Sequence, residues 1–338
     1  MRCLVFGAIG AFALVSRAHS VVLLNEFMAV NTSTTQTAEG RFADWIELYN
    51  KSVVAADIGG YYITDETSVP MKWRFPSPTV LPAGGRLFLW ADDTTAPVPG
   101  PPYVPPYHVS FQIAGTEGER LTLFAADGAT TIDTIEFGPQ ARDVSYGRAL
   151  DGHWAWGPFR NATPNRPNTG YEFPPASAAG ILFLNEWLYR NADGIRDASG
   201  RREDWVEIFN AGDIPIDLGD YYITDDLSRP NKWAIRYGNV AGPHGFVILW
   251  ADDDEETEGP NHLSFNLRGE GEPLGLYEKD GFTPIDTITT TVITPQYQDV
   301  SQGRSRDGGP QFWFFSHPTP RETNYVPSAD VRRWETYR

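Results

Sequence analysis

Two stretches of this chain are close copies of each other. Phe42–Asn50 reads FADWIELYN, and Arg202–Asn210, 160 residues further on, reads REDWVEIFN. Other landmarks keep that spacing. LLNEFMA (Leu23–Ala29) answers FLNEWLY (Phe183–Tyr189), GGYYITDETSVPMKW (Gly59–Trp73) answers GDYYITDDLSRPNKW (Gly219–Trp233), and LFLWADD (Leu87–Asp93) answers VILWADD (Val247–Asp253). The offset then falls by about six, where the Pro-rich TTAPVPGPPYVPPYH is answered by the shorter DEETEGPNH. Length changes inside a duplicated unit fall in surface loops, and the Pro-rich version reads as an extended connector. After it, HVSFQIAGTEGE pairs with HLSFNLRGEGE and PQARDVSYGR with PQYQDVSQGR, and the copies close with TPNRPN and TPRETN. A repeat of roughly 150 residues is a whole domain, whereas periods of about 20–50 would mean a solenoid. Two domains are expected, 21–168 and 180–326, joined by a Pro/Ala/Ser linker at 169–179 and followed by a tail at 327–338.

Alternation dominates within each copy. In DWIELYN, Ile46 and Leu48 point one way and Trp45, Glu47 and Tyr49 the other, and DWVEIFN repeats the pattern. A period of two among β-branched and aromatic residues is the strand signal. GYYIT, GRLFLWA, ERLTLFA and TIDTIEF behave alike and end in turn clusters such as PAGG and ADG. About eight or nine short strands per copy suit a two-sheet sandwich of immunoglobulin-like kind, though alternation alone leaves a barrel open. The expected class is all-β, with two tandem sandwiches.

The first twenty residues differ from the rest. Arg2, an apolar run over Leu4–Val15 and the small residues of Ala18-His19-Ser20 read as a secretory signal peptide, too short for a comfortable span. Cys3, the only cysteine, lies inside it, so the mature chain is expected to lack disulfides. No other stretch approaches about 18 apolar residues, the length of a membrane helix. The net charge of −17 becomes −19 once Arg2 and Arg17 leave. Such a field repels polyanions, which disfavours nucleic acid as a partner.

The ordered set N-E-x, D-W-x-E-(L/I)-x-N, G-x-Y-(L/I)-(S/T)-D, K-W, P-A-G, a strand ending W-A-D, F-x-(L/I)-x-x-x-G-E and D-V-S-x-G-R resembles the lamin tail domain family. The likeness is to its bacterial extracellular branch, and it covers nearly all of both copies. The resemblance implies an immunoglobulin-like sandwich that binds or tethers and implies no particular enzymatic activity. The chain has no heptad rod, no basic import run and no C-terminal prenylation motif, which sets it apart from the filament-forming relatives.

The motif carboxylates Asp44/Glu47 and Asp204/Glu207 raise the question of a paired-carboxylate active site. Residues three apart on a strand face opposite ways, so neither pair converges from one strand. Asp44, Trp45, Glu47, Asp204, Trp205 and Glu207 are therefore read as structural, as are Asn25-Glu26 and Asn185-Glu186. His108 and His262 recur before Ser-Phe but lack a nucleophile or metal-binding motif beside them, and are also read as structural. Asp65, Asp92, Asp93, Asp225, Asp252 and Asp253 lie in acidic loops. If those loops cluster at one end of a sandwich they offer hard oxygen ligands for Ca²⁺, the one cofactor the sequence admits; a solvated acidic rim is the plainer reading. DGIRDASGRRED (Asp193–Asp204) lacks the acidic rhythm of an EF-hand loop. Of the eleven tryptophans, Trp154, Trp156, Trp313 and Trp334 fall outside the repeated strands and are the candidates for stacking on sugar rings. The Asn-x-Ser/Thr sequon at Asn50 is lost at Asn210, so the asparagine is assigned to the turn.

Together these features lead to a secreted or cell-surface, non-catalytic binding, tethering or structural module. Its expected partners are extracellular or cell-envelope proteins or polysaccharides. A Ca²⁺-dependent secreted hydrolase or a carbohydrate-binding protein is the alternative.

Overall fold

The computed structural model describes residues 22–94, 106–171, 175–253, 259–289 and 296–325. The leader, most of the Pro-rich connector, Asp254–Glu256 and the tail with Trp334 lie outside them. Among the described residues there are 24 strands and no helix. The fold is an all-β one of immunoglobulin-like sandwiches.

In the first half a six-stranded sheet runs in the order Trp156–Phe159, Ser145–Arg148, Val22–Met28, Asp44–Asn50, Arg86–Ala91, Tyr107–Val109. A four-stranded sheet orders Thr131–Phe137, Glu119–Phe124, Tyr62–Thr64, Trp73–Arg74. In the second half a six-stranded sheet has the corresponding order: Phe312–Phe315, Ser301–Arg304, Leu182–Leu188, Trp205–Asn210, Phe246–Ala251, His262–Leu263. Pairing is antiparallel except at one edge of each large sheet, where Tyr107–Val109 and His262–Leu263 run parallel to their neighbours.

The alternation read in the sequence sorts side chains as expected. Ile46, Leu48, Leu87 and Leu89 enter the core between the sheets with Ile63, Leu121 and Leu123. Trp45, Phe88 and Trp90 face the other way, under a satellite cluster with Met28. The second half repeats both sets, with Val206, Ile208 and Leu249 inside and Trp205, Ile248 and Trp250 behind.

The halves pack directly against each other. Val240 joins the first half's core, and its N–H donates to Pro139 O at 2.9 Å. Tyr146 Oη donates to Asp217 Oδ2 at 2.6 Å, and Gln140 Nε2 donates to Gly238 O at 2.8 Å. Arg236 reaches Glu136 at 3.1 Å, and Arg321 pairs with Glu117, which also accepts from Trp250 Nε1 at 3.2 Å. Gly138 permits this approach, because a Cβ there would sit 2.3 Å from Asn239 Oδ1. The described end of the connecting segment is anchored too. Ser177 Oγ and Ala178 N both donate to Glu278 Oε1, and Ala178 is buried in the second core.

Candidate functional site

The repeated Asn-Glu sits on a β-bulge. Register against the Asp44–Asn50 strand slips between Leu24 and Glu26, and in the second half between Leu184 and Glu186. The extra residue breaks strict alternation, so Asn25 and Glu26 can serve one face together. Asn25 Nδ2 donates to Glu47 Oε1 at 2.9 Å, Asp151 Oδ1 at 3.0 Å and Asn168 Oδ1 at 3.1 Å. Glu26 accepts from Ser145 Oγ at 2.5 Å and from Thr163 N and Oγ1 at 3.0 and 2.7 Å. The second carboxylate oxygen of Glu47 accepts from Asn165 N at 2.7 Å. The closing TPNRPN therefore folds back over the sheet, and its backbone and threonine satisfy the buried acids. The bulge is also pinned from the other sheet. Asp133 Oδ2 accepts from Leu24 N at 2.9 Å and from Arg148 Nη2 at 2.8 Å, while Arg148 Nε donates to Leu24 O at 2.7 Å.

TPRETN does the same in the second half. Asn185 Nδ2 donates to Glu207 and Asp307, each at 3.0 Å, and Glu186 accepts from Ser301 Oγ and Thr319. Glu207 accepts from Arg321 N at 2.6 Å. Burial holds all four glutamates above the ordinary carboxylate range, Glu47 at about 8 and the nearly enclosed Glu207 well above it. Asp44 and Asp204 serve different neighbours. Asp44 accepts from Ile113 N at 3.2 Å, Asp204 from Arg190 N at 2.6 Å, and burial raises them to about 7 and about 6. Each D-W-x-E carboxylate is thus engaged as an acceptor for the fold's own donors. Asp133, Asp151, Thr163, Asn168 and their counterparts were not singled out in the sequence. The signals that could have found them are the repeated TIDTI/PIDTI and TPNRPN/TPRETN strings and an Asp151-Gly152 that recurs as Asp307-Gly308.

The acidic loops hold mostly paired groups. Asp65 pairs with Lys72 at 2.7 Å, and Asp225 pairs with Lys232, seven residues on in each case. Asp92 meets His108 Nδ1 at 3.0 Å and Arg41 at 3.3 Å, and Asp252 meets His262 Nδ1 at 2.7 Å. Asp93 and Asp253 take left-handed turn conformations, with φ of 51° and 58°. Among the described residues one trio of potential metal ligands closes together, Asp197, Asp252 and His262, with ligand atoms within 4.8 Å of one another. Asp65, Asp92, Asp93, Asp225 and Asp253 join no such group there.

The three described tryptophan candidates occupy separate places. Trp154 is 82% exposed at a hairpin tip, its ring 5.3 Å from His153. Trp156 stacks on Tyr146 at 5.9 Å and lines a crevice between the halves with Asp217 and Tyr237. Trp313 lies half-buried on the edge strand of the second large sheet. A wider cleft of about 400 Å³ also opens between the halves. Its wall carries Glu66, Glu117, Glu119 and Glu136, with Ala198 and Pro260 opposite, and burial raises Glu119 to about 8.

The Lamin Tail Domain family model matches residues 16–139, so the first half contains a lamin tail domain. No curated protein and no solved structure matches the chain.

Proposed function

We propose that the chain is an exported, non-catalytic binding or tethering module built from two tandem lamin-tail-like sandwiches, the second over 180–326. One observation carries this reading. The second half repeats, group for group, the bulge and the acid-satisfying closing segment of the half that matches the family. A carboxylate held by buried backbone donors is committed to the fold, which favours a scaffold over an acid–base site. Two recognition units in one chain gain avidity when both engage, and direct packing of the halves sets their spacing. Partners are extracellular or envelope proteins or polysaccharides.

A thermal-unfolding screen of the full chain against Ca²⁺, chelator, soluble polysaccharides, envelope fragments and DNA tests the proposal. A partner at one hundred times its dissociation constant adds about 2.7 kcal/mol to the native state, which shifts the midpoint by several degrees. A shift with an envelope fragment or polysaccharide supports the reading, and a shift with DNA alone overturns it. Exposure of Trp154 favours a carbohydrate as the second reading. Trp154→Ala would then abolish a polysaccharide-induced shift.

A further inference from the structure

We propose that Asp197, Asp252 and His262 form a binding site for a divalent transition-metal ion of the zinc class. The three come from separate parts of the second half. Asp197 lies in the loop between Leu182–Leu188 and Trp205–Asn210, Asp252 follows Phe246–Ala251, and His262 opens the parallel edge strand. Their side chains are 0%, 3% and 2% exposed. One ligand atom from each lies within 4.8 Å of the others, and the closest pair, His262 Nδ1 and Asp252 Oδ2, is 2.7 Å apart. Zinc takes imidazole nitrogen and carboxylate oxygen at about 2.0–2.2 Å, so donors on one ion stand roughly 3–4 Å apart. Small side-chain adjustments bring this trio to that geometry. The ion would take the place of the proton between His262 and Asp252. An imidazole donor selects for zinc-like ions over Ca²⁺, which prefers an all-oxygen shell.

The surroundings suit a cation. Asp197 is held in place by Arg201 N at 2.7 Å and Ser199 Oγ at 2.9 Å, the kind of outer support that orients a ligand. Arg201 Nε stands 3.6 Å from both Asp197 and Glu203 and is half exposed, so its charge is divided among acids and screened by water. Glu203 adds a further negative charge nearby, felt by and feeling Asp252 and Asp197.

The first half is an internal reference. It keeps the same turn, with Thr37 N donating to Arg41 O as Asp197 N donates to Arg201 O. It also keeps the acid–histidine pair, Asp92–His108. The third donor is missing, because Thr37 stands where Asp197 does. Arg41 there reaches Asp92 itself at 3.3 Å, and His108 is a third exposed. The first half thus brings two donors together, the second three.

Calorimetric titration of the chelator-treated full chain with ZnCl₂ tests the site. One ion per chain is expected. Asp197→Asn and His262→Gln should each weaken uptake at least tenfold, and His108→Gln should leave it unchanged. Absence of stoichiometric uptake, uptake that survives either of the first two substitutions, or a response to Ca²⁺ alone would overturn the assignment. Should those variants fail to fold, judged by near-UV circular dichroism, anomalous scattering at the zinc edge from wild-type crystals decides. A peak among the three side chains upholds the site, and a peak elsewhere or none overturns it.

Discussion

The two halves build the same buried Asn–Glu–Glu arrangement and flank it differently. In the first half Arg86 ion-pairs with Asp151 and stands 3.7 Å from Glu47, its guanidinium 5.2 Å from the Tyr49 ring centre. In the second half the corresponding positions are Phe246 and Phe209, whose tilted rings lie 5.1 Å apart. Asn185 holds Glu207 and Asp307 with no such cation among the described residues, and burial, reinforced by the charge of Glu186, pushes Glu207 well above the ordinary range. One half sets an arginine beside its buried acids and the other an aromatic pair, while burial raises Glu47 and Glu207 alike. A buried carboxylate needs a counter-charge, a proton or donors around it, because a bare charge in a low dielectric is costly.

The largest effect is expected from Arg86→Phe, which imposes the second arrangement on the first half. Stranding Glu47 and Asp151 should cost about 3–5 kcal/mol at pH 8 and distinctly less at pH 5, where Glu47 carries its proton. Urea unfolding at the two pH values measures this, and an equal loss at both would end the contrast. Next come Asn25→Ala and Asn185→Ala, each removing bonds to buried acids at about 2–3 kcal/mol. Similar costs in the two halves would show that the asparagine does the same task beside a cation as beside an aromatic pair.

The pH profile follows. A carboxyl whose pKa rises on folding binds its proton more tightly in the native state. For Glu47 the native state is favoured fully below its ordinary value of 4.5, and the advantage is lost as the pH climbs to about 8. Glu26, Glu186 and Glu207 act in the same direction. The melting temperature should therefore fall from pH 5 to pH 8, and Glu207→Gln should flatten the fall. An unchanged slope in that variant would mean that Glu207 keeps no proton. The smallest effect belongs to Tyr49→Leu. Losing the ring beneath Arg86 should cost about 0.5–1 kcal/mol, read as a shift in the urea midpoint.

Much of the fold was legible in the sequence, because alternation in segments such as DWIELYN and LFLWADD fixes which side chains face the core. The role of Asn25 and Glu26 was less so. Strict alternation would set them on opposite faces, and only the bulge, a property of the pairing, brings both to Glu47. The closing segment was visible as a repeated string, but what it covers depends on contacts more than a hundred residues away, as in Asn165 N to Glu47. The packing of the halves left little trace in the pattern either. Val240 reads as an ordinary strand residue of its own half, and its place in the other core comes from docking. Asp197 sits in a string without an EF-hand rhythm, and its neighbours Asp252 and His262 come from segments far along the chain.

The first strand of each half lies beside one of its last, Val22–Met28 against Ser145–Arg148 and Leu182–Leu188 against Ser301–Arg304. Where the strands meet, Glu26 is clipped to Ser145 and Arg148 to Leu24 O; Glu186 and Arg304 do the same with Ser301 and Leu184 O. A pull on the two ends of the chain is therefore delivered to seams that are bonded across as well as along. Each pair is antiparallel, so the entering end of the first strand and the leaving end of the later one lie at the same end of the seam, and tension there would open it one bond after another.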